Sequence, residues 1–305
     1  NMDTGIALSR PLGEAVPGLR PPQSPTTIAL ARLRHSTRAM AGLALLILLL
    51  ALALLAPAVA PADPIAMNGG EALQSPSLRH PFGTDQFGRD VFSRVVYGTR
   101  WSLPLGVVPV LIASLLGVTL GLVAGYEERW LGTLIMRLTD VMLGFPVLLL
   151  ALFLVAMLGV SLTNVMIAVG ISNTPNYVRL VYGTTLATKQ RDFVLAAQAV
   201  GVPRQRLLLR HILPNTVAPV IVLATVGVAW AILAGAALSF LGLGAQPPTP
   251  EWGKMVAEGQ NYLRDFWWVS TFPGLAIMVT VLAINLFGDG LRDALDPRQA
   301  TSSSQ

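Results

Sequence analysis

Residues 141–178 read VMLGFPVLLLALFLVAMLGVSLTNVMIAVGISNTPNYV, 38 positions without one Asp, Glu, Lys or Arg. About 20 apolar residues carry a helix across the hydrocarbon core of a bilayer, so this stretch is too long for a single crossing. It breaks at Gly159-Val160-Ser161-Leu162-Thr163-Asn164, a polar, turn-forming run, which places one helix over 135–158 and another over 164–186. The second helix tolerates Arg179 near its end, where a long side chain can carry its charge to the headgroups. Four other charge-free stretches accompany it, at 39–62, 101–126, 212–250 and 266–288. The 212–250 stretch opens with Pro214 and closes in a Gly- and Pro-rich run from Gly242 to Pro250. That leaves one helix near 216–240. Six crossings follow, over 39–62, 101–126, 135–158, 164–186, 216–240 and 272–290.

Composition agrees. Of 305 residues, 53% are hydrophobic and 12% charged, with a mean hydropathy of +0.62. A soluble protein carries about 25% charged residues, so a single water-soluble domain is excluded and an all-α polytopic membrane protein is expected. The absence of cysteine excludes disulfides, thiolate nucleophiles and Cys-ligated metals. The three histidines, His35, His80 and His211, lie far apart in sequence, so no metal site and no cofactor are expected.

Charge orients the bundle. The tail 1–38 holds Arg10, Arg20, Arg32, Arg34 and Arg38 against Asp3 and Glu14, and 187–215 holds Lys189, Arg191, Arg204, Arg206 and Arg210 against Asp192 alone. Segment 63–100 balances its arginines with Asp63, Glu71, Asp85 and Asp90, and 241–271 is net negative. Cytoplasmic loops collect Lys and Arg. The tail, 187–215 and the C-terminal 291–305 therefore face the cytoplasm, and 63–100 and 241–271 face outward. Ala58-Val59-Ala60 looks like a signal-peptide cut site, but the apolar core before it is too long and Pro61 follows it, so the first crossing is expected to stay.

No Gly-x-x-x-x-Gly-Lys-Ser/Thr phosphate loop, Gly-x-Ser-x-Gly elbow or His-Glu-x-x-His zinc helix occurs. Secondary carriers place ionisable groups near the bilayer midplane. No carboxylate falls near the middle of a predicted crossing here; Asp140 and Asp289 lie toward helix ends. A stand-alone carrier or channel for a small solute is the alternative reading of the hydropathy. If solute moves uphill, the energy comes from another polypeptide. The chain itself has no catalytic residue and calls for no nucleic-acid partner.

Segment 187–215 reads as two short helices. In the first, Phe193, Ala196, Ala197 and Val200 share a face at i, i+3, i+4, i+7. Gly201 ends it as a left-handed cap. Pro203 starts the second, which runs to His211 with Pro214 beyond. Such a ridge with basic flanks fits either a partner's groove or an anionic lipid surface.

The run Leu195-Ala196-Ala197-Gln198-Ala199-Val200-Gly201, followed after nine residues by His211-Ile212-Leu213-Pro214, resembles the EAA loop of ABC importer permeases. Leu195 stands where the motif's Glu is expected, and His211 where Ile is common. Three further runs resemble the C-type subunit of dipeptide/oligopeptide (nickel) permeases: His80–Asp90, Leu238–Gly253 and Gly288–Pro297. The resemblance covers about 35–298. It implies a type I ABC importer permease fold in the bacterial inner membrane, forming half of a peptide path. It also implies a second homologous permease, two cytoplasmic ATPase subunits or one fused, an extracytoplasmic solute-binding protein, and ATP hydrolysis outside this chain. Phe193, Ala196, Ala197, Gln198, Gly201, Arg204 and Pro214 would then belong to the ATPase-coupling segment.

Three features keep two readings each. In 85–100, Asp85–Arg89 and Asp90–Arg94 are i, i+4 pairs on an expected amphipathic surface helix, which either shapes a vestibule or braces the first crossing. Trp252, Tyr262, Trp267 and Trp268 form an expected interfacial belt, for anchoring or solute contact. Ser172-Asn173-Thr174-Pro175-Asn176 beside Tyr177 must avoid lipid. With Asn173, Asn176, Tyr177 and Arg179 as candidate residues, this knot either lines a translocation path or packs helices.

Overall fold

The structure, a computed structural model, describes residues 25–127 and 129–295. The expected tail before residue 25 and the end beyond Leu295 lie outside the described residues. Eleven α-helices and no strand occur among the described residues: α1 Pro25–His35, α2 Thr37–Val59, α3 Val91–Tyr126, α4 Trp130–Leu143, α5 Val147–Leu158, α6 Leu162–Lys189, α7 Asp192–Ala199, α8 Arg204–Leu207, α9 Leu213–Phe240, α10 Trp252–Gly259 and α11 Trp268–Leu295.

By length and apolar composition four helices can cross a membrane: α2, α3, the continuous Arg204–Phe240 and α11. The expected third crossing, 135–158, is α4 and α5 joined through a 96° bend at Gly144-Phe145-Pro146, and makes a fifth only if the bent pair is one span. Proline removes an N–H and disfavours helix at the residue before it, which accounts for the break. The sixth candidate, α6, has 28 residues, about 42 Å at helical rise, but its polar middle keeps it out of the purely apolar class. The all-α class is borne out, and among the described residues four to five helices pass as apolar spans, against the six crossings expected.

Two helix starts move. α3 begins at Val91, ten residues before the expected 101, because Asp90 caps it: its Oδ2 accepts from Ser93 N at 2.7 Å. The expected short helix ending at His211 is instead the start of one helix reaching Phe240. A π-helical turn at Leu208–Ile212 precedes Pro214, which then sits in the first turn of α9.

The central seam joins α3 and α6. Gly117, Gly121 and Gly125 recur every fourth residue on α3, facing Tyr177, Val181 and Thr185 at the same spacing on α6. A Cβ on Gly121 would lie 2.7 Å from Val181 Cβ, and one on Gly125 2.7 Å from Thr185 Cβ. Only hydrogen fits, and the backbones approach as in small-residue membrane interfaces.

The 60–94 segment and the 241–267 connection cap one end, and the charges at 85–94 are buried there rather than spread on a surface helix. Arg89 donates to Asp85 Oδ2 at 2.6 Å from a turn and to Glu258 Oε2 at 2.8 Å. Asp90 binds His80 Nδ1 at 2.9 Å instead of Arg94, whose guanidinium donates to Pro64 O at 3.0 Å. The expected 85–100 helix forms only from Val91, as the start of α3, because a surface helix would leave Arg89 in water, whereas the 85–90 turn pairs it twice. The aromatic belt is corrected in the same way. Trp252 and Trp268 are buried, donating to Val95 O at 2.9 Å and Thr84 O at 3.1 Å, and Trp267 remains exposed.

Candidate functional site

The elbow at 190–203 follows α6 directly and leads into the Arg204–Phe240 helix. Val194, Leu207 and Ile212 are fully buried and cluster with Leu122 of α3 and Val181 of α6. These contacts plug the elbow into the base of the bundle. Asp192 sits in the first turn of α7, where a carboxylate complements the helix dipole. Gly201 turns the chain at φ +79°, with open space around its missing side chain. This is the left-handed cap expected from the sequence.

What faces away is apolar and basic. Phe193 is 44% exposed, Leu195 48%, Val200 80% and Leu209 64%. Ala196, Gln198 and Pro214 are exposed, and Ala197 turns partly into the anchoring cluster. Arg204 is exposed and reaches Glu127 Oε1 at 3.3 Å. The structure therefore brings Phe193, Ala196, Gln198 and Val200 to the open side of a single two-turn helix. Exposed apolar side chains in such density mark an interaction surface.

A cavity of about 1020 Å³ opens between α6 and α9, bordered also by Val147 of α5 and by Arg292 and Leu295 of α11, and open on one side. Asn173 and Asn176 line it, as expected for the polar knot, and Asn176 Nδ2 donates to Asn173 Oδ1 at 2.7 Å. The other two candidates do not line it. Tyr177 is fully buried, with its Cβ against Gly117 and its hydroxyl beside Gly227. Its aromatic bulk is absorbed by two glycines, so it packs α3, α6 and α9 together. Arg179 points to α4 and pairs with Asp140 at 2.6 Å. One helical residue advances the side chain by about 100°, enough to separate Asn176 from Tyr177.

Sequence reasoning missed Asn215, Pro219, Trp230 and Arg292, which also line the cavity. One signal was available: Trp230 is the sole aromatic residue of α9 before its last position, in a run of small and aliphatic residues. Nothing in the sequence links Arg292 to Asn215, because only the packing of α11 on α9 brings them together.

Residues 117–301 match the family of binding-protein-dependent transport system inner membrane components, and residues 24–76 match the N-terminal transmembrane domain of oligopeptide transport permease C. The chain is 45% identical over 296 residues to the dipeptide transport system permease protein DppC of Alkalihalophilus pseudofirmus, covering 95% of this chain and 97% of that one. It is 47% identical to the di/tripeptide transport system permease protein DppC of Pseudomonas aeruginosa, covering 87% and 89%. It is also 47% identical to the glutathione transport system permease protein GsiD of Escherichia coli, covering 88% of each. Among solved structures, the inward-facing MetNI methionine ABC transporter contains a chain of the same fold, with a TM-score of 0.55 at 15% identity over 67% of this chain and 96% of that one. The importer-permease fold expected from the sequence is thus borne out. This chain belongs to the family of binding-protein-dependent transport system inner membrane components.

Proposed function

We propose that this chain is the transmembrane permease subunit of an ATP-driven importer of short peptides, forming half of the path beside a second, homologous permease. Two ATPase subunits, or one fused, dock on the cytoplasmic side, and a solute-binding protein delivers peptide from outside. Both termini and 187–215 face the cytoplasm, where the basic residues gather. The ATPases hydrolyse ATP, and this chain performs no covalent chemistry.

One observation carries the reading. The two helices that wall the cavity, α6 and the Arg204–Phe240 helix, are the two that the elbow joins. A displacement of α7 by a partner therefore acts on both walls without an intermediary. The exposed ridge of Phe193, Ala196, Gln198 and Val200 offers the partner an apolar handle, and Arg204 and Pro214 flank it. Near-rigid movement of such elements is a common way to switch access.

The test is uptake by the reconstituted complex of both permeases, ATPases and binding protein. Gly201→Pro forbids positive φ, whereas Gly201→Asn tolerates it. We expect Gly201→Pro to abolish ATP-driven dipeptide uptake in an assembled complex and Gly201→Asn to retain most of it. Undiminished uptake by the assembled Gly201→Pro complex refutes the coupling role. Because the chain has no cysteine, a Val200→Cys variant reports sidedness: labelling by an impermeant maleimide from outside intact cells refutes the orientation.

A further inference from the structure

The cavity's lining is electrically one-sided. Among the described residues that line it, Arg292 alone carries a formal charge, and no carboxylate does. Asp289 and Asp293, its neighbours on α11, are exposed but outside the lining. Arg292 is itself exposed at the rim of this cavity, which is open on one side, so its guanidinium is accessible to an entering group. The rest of the polar lining is amide. Asn176 donates one hydrogen to Asn173 Oδ1, and Asn215 donates one to His211 O at 2.7 Å. Both amino hydrogens of Asn173 and the carbonyl oxygens of Asn176 and Asn215 stay available. Such a set pairs with the C=O and N–H groups that every peptide bond repeats, so it does not distinguish side chains.

The one place where the lining discriminates chemically is Arg292, which shares the lining with Asn215 at the start of α9. We infer, resting on the peptide-importer reading above, that Arg292 is a specificity-determining contact that binds the C-terminal carboxylate of the peptide in the cavity. The guanidinium fork matches a carboxylate in two parallel hydrogen bonds. The peptide backbone then lies along Asn215, Asn176 and Asn173, with its apolar groups toward Pro219 and Trp230. The occupant is a short peptide with a free C-terminus. A structural role is the competing account, since a cation in a helix's last turn also favours the helix dipole.

The experiment compares ATP-driven uptake of trialanine and trialanine amide by the full reconstituted complex carrying wild type, Arg292→Gln or Arg292→Lys. The binding protein is the same throughout, so its own end-group preference cancels between variants. Loss of a charge-assisted contact should lower acid uptake by Arg292→Gln roughly tenfold. Amide uptake should stay within about twofold of wild type, and Arg292→Lys should recover most of the acid uptake. Equal slowing of both peptides overturns the proposal and assigns Arg292 to structure, or the cavity to the second permease. Unchanged acid uptake overturns it as well. No ATP-driven uptake of either peptide by the wild-type complex overturns the peptide-importer reading itself, an outcome distinct from the other two.

Discussion

The α3–α6 seam admits a prediction worked from atomic positions. In Gly121→Ala the new Cβ lies 2.7 Å from Val181 Cβ and 2.8 Å from the Val178 carbonyl oxygen. Carbon atoms pack at about 3.5–4.0 Å, so the helices must part by roughly 1 Å. Both opposing atoms sit at or next to the backbone, and no flexible side chain can swing aside. Overpacking of this kind costs about 1–3 kcal/mol. Alanine also improves helix propensity by up to about 1 kcal/mol over glycine, which would mask part of the loss. Gly183→Ala on α6 supplies the control, since nothing lies within 4 Å of its added Cβ. The propensity gain is common to both, so their difference isolates the clash. At about 2–4 °C per kcal/mol for a chain of this order of size, Gly121→Ala should unfold about 2–12 °C below Gly183→Ala. The assay is thermal unfolding of the detergent-solubilised complex. Adding Gly125→Ala should cost less than its single effect, because the seam is already open. Equal melting of Gly121→Ala and Gly183→Ala refutes the argument that close backbone approach holds this seam.

Further predictions concern the buried charges. Arg89→Met leaves Asp85 and Glu258 only the longer contacts to Arg94, at 3.7 and 3.5 Å, and should cost about 3 kcal/mol, the low end for breaking a buried pair. Thermal unfolding checks it, and a loss under 1 kcal/mol would mean the pair is solvated. Glu251 caps α10 through Gly253 N and Lys254 N, and burial raises its carboxyl above the ordinary 4.5. A raised value means the folded state holds the proton more tightly. Its stabilising contribution is therefore full below 4.5 and is lost as pH rises through the folded value. The fall of melting temperature with pH between 4.5 and the folded value should flatten in Glu251→Gln, and an unaltered slope there would exclude Glu251 as its source. Finally, Asp140→Arg with Arg179→Asp should restore the transport that either single change reduces. Failure of the double variant to exceed both singles in uptake would show that the pair is not the link between α4 and α6.

Hydropathy made the helices legible because an apolar run of bilayer length has few other uses. Gly201 was legible for a local reason, since a helix stop followed by Pro203 needs a left-handed residue and the structure has φ +79° there. The 85–90 turn was not. Its i, i+4 charges have the spacing of a surface helix, and only Glu258, 169 residues away from Arg89 in sequence, makes burial favourable. The cavity was half legible. Asn173 and Asn176 announce themselves as polar groups in an apolar helix, yet Tyr177, about 100° on from Asn176, packs into the bundle because Gly117 and Gly227 make room for it. Arg292 carries no local sign of its position, which depends on how α11 meets α9.

The two ends of the bundle are built on different physics, and this bears on where the cavity can open. At the 60–94 end, Arg89 bridges Asp85 and Glu258, Glu251 holds two backbone N–H groups, and Trp252 and Trp268 tie two connections to the helix ends. A buried ion pair gains only at good geometry and loses heavily when parted, so that end resists graded movement. At the elbow, five buried apolar residues make the anchor and the outer face is bare. Apolar contacts are non-directional and can slide without stranding a charge. Because the glycine seam locks α3 to α6 along the bundle, a force applied at α7 moves that pair as one body. On the proposed mechanism the low-cost motion pivots about the ionic end and widens the cavity at the elbow, where Asn215 and Arg292 lie.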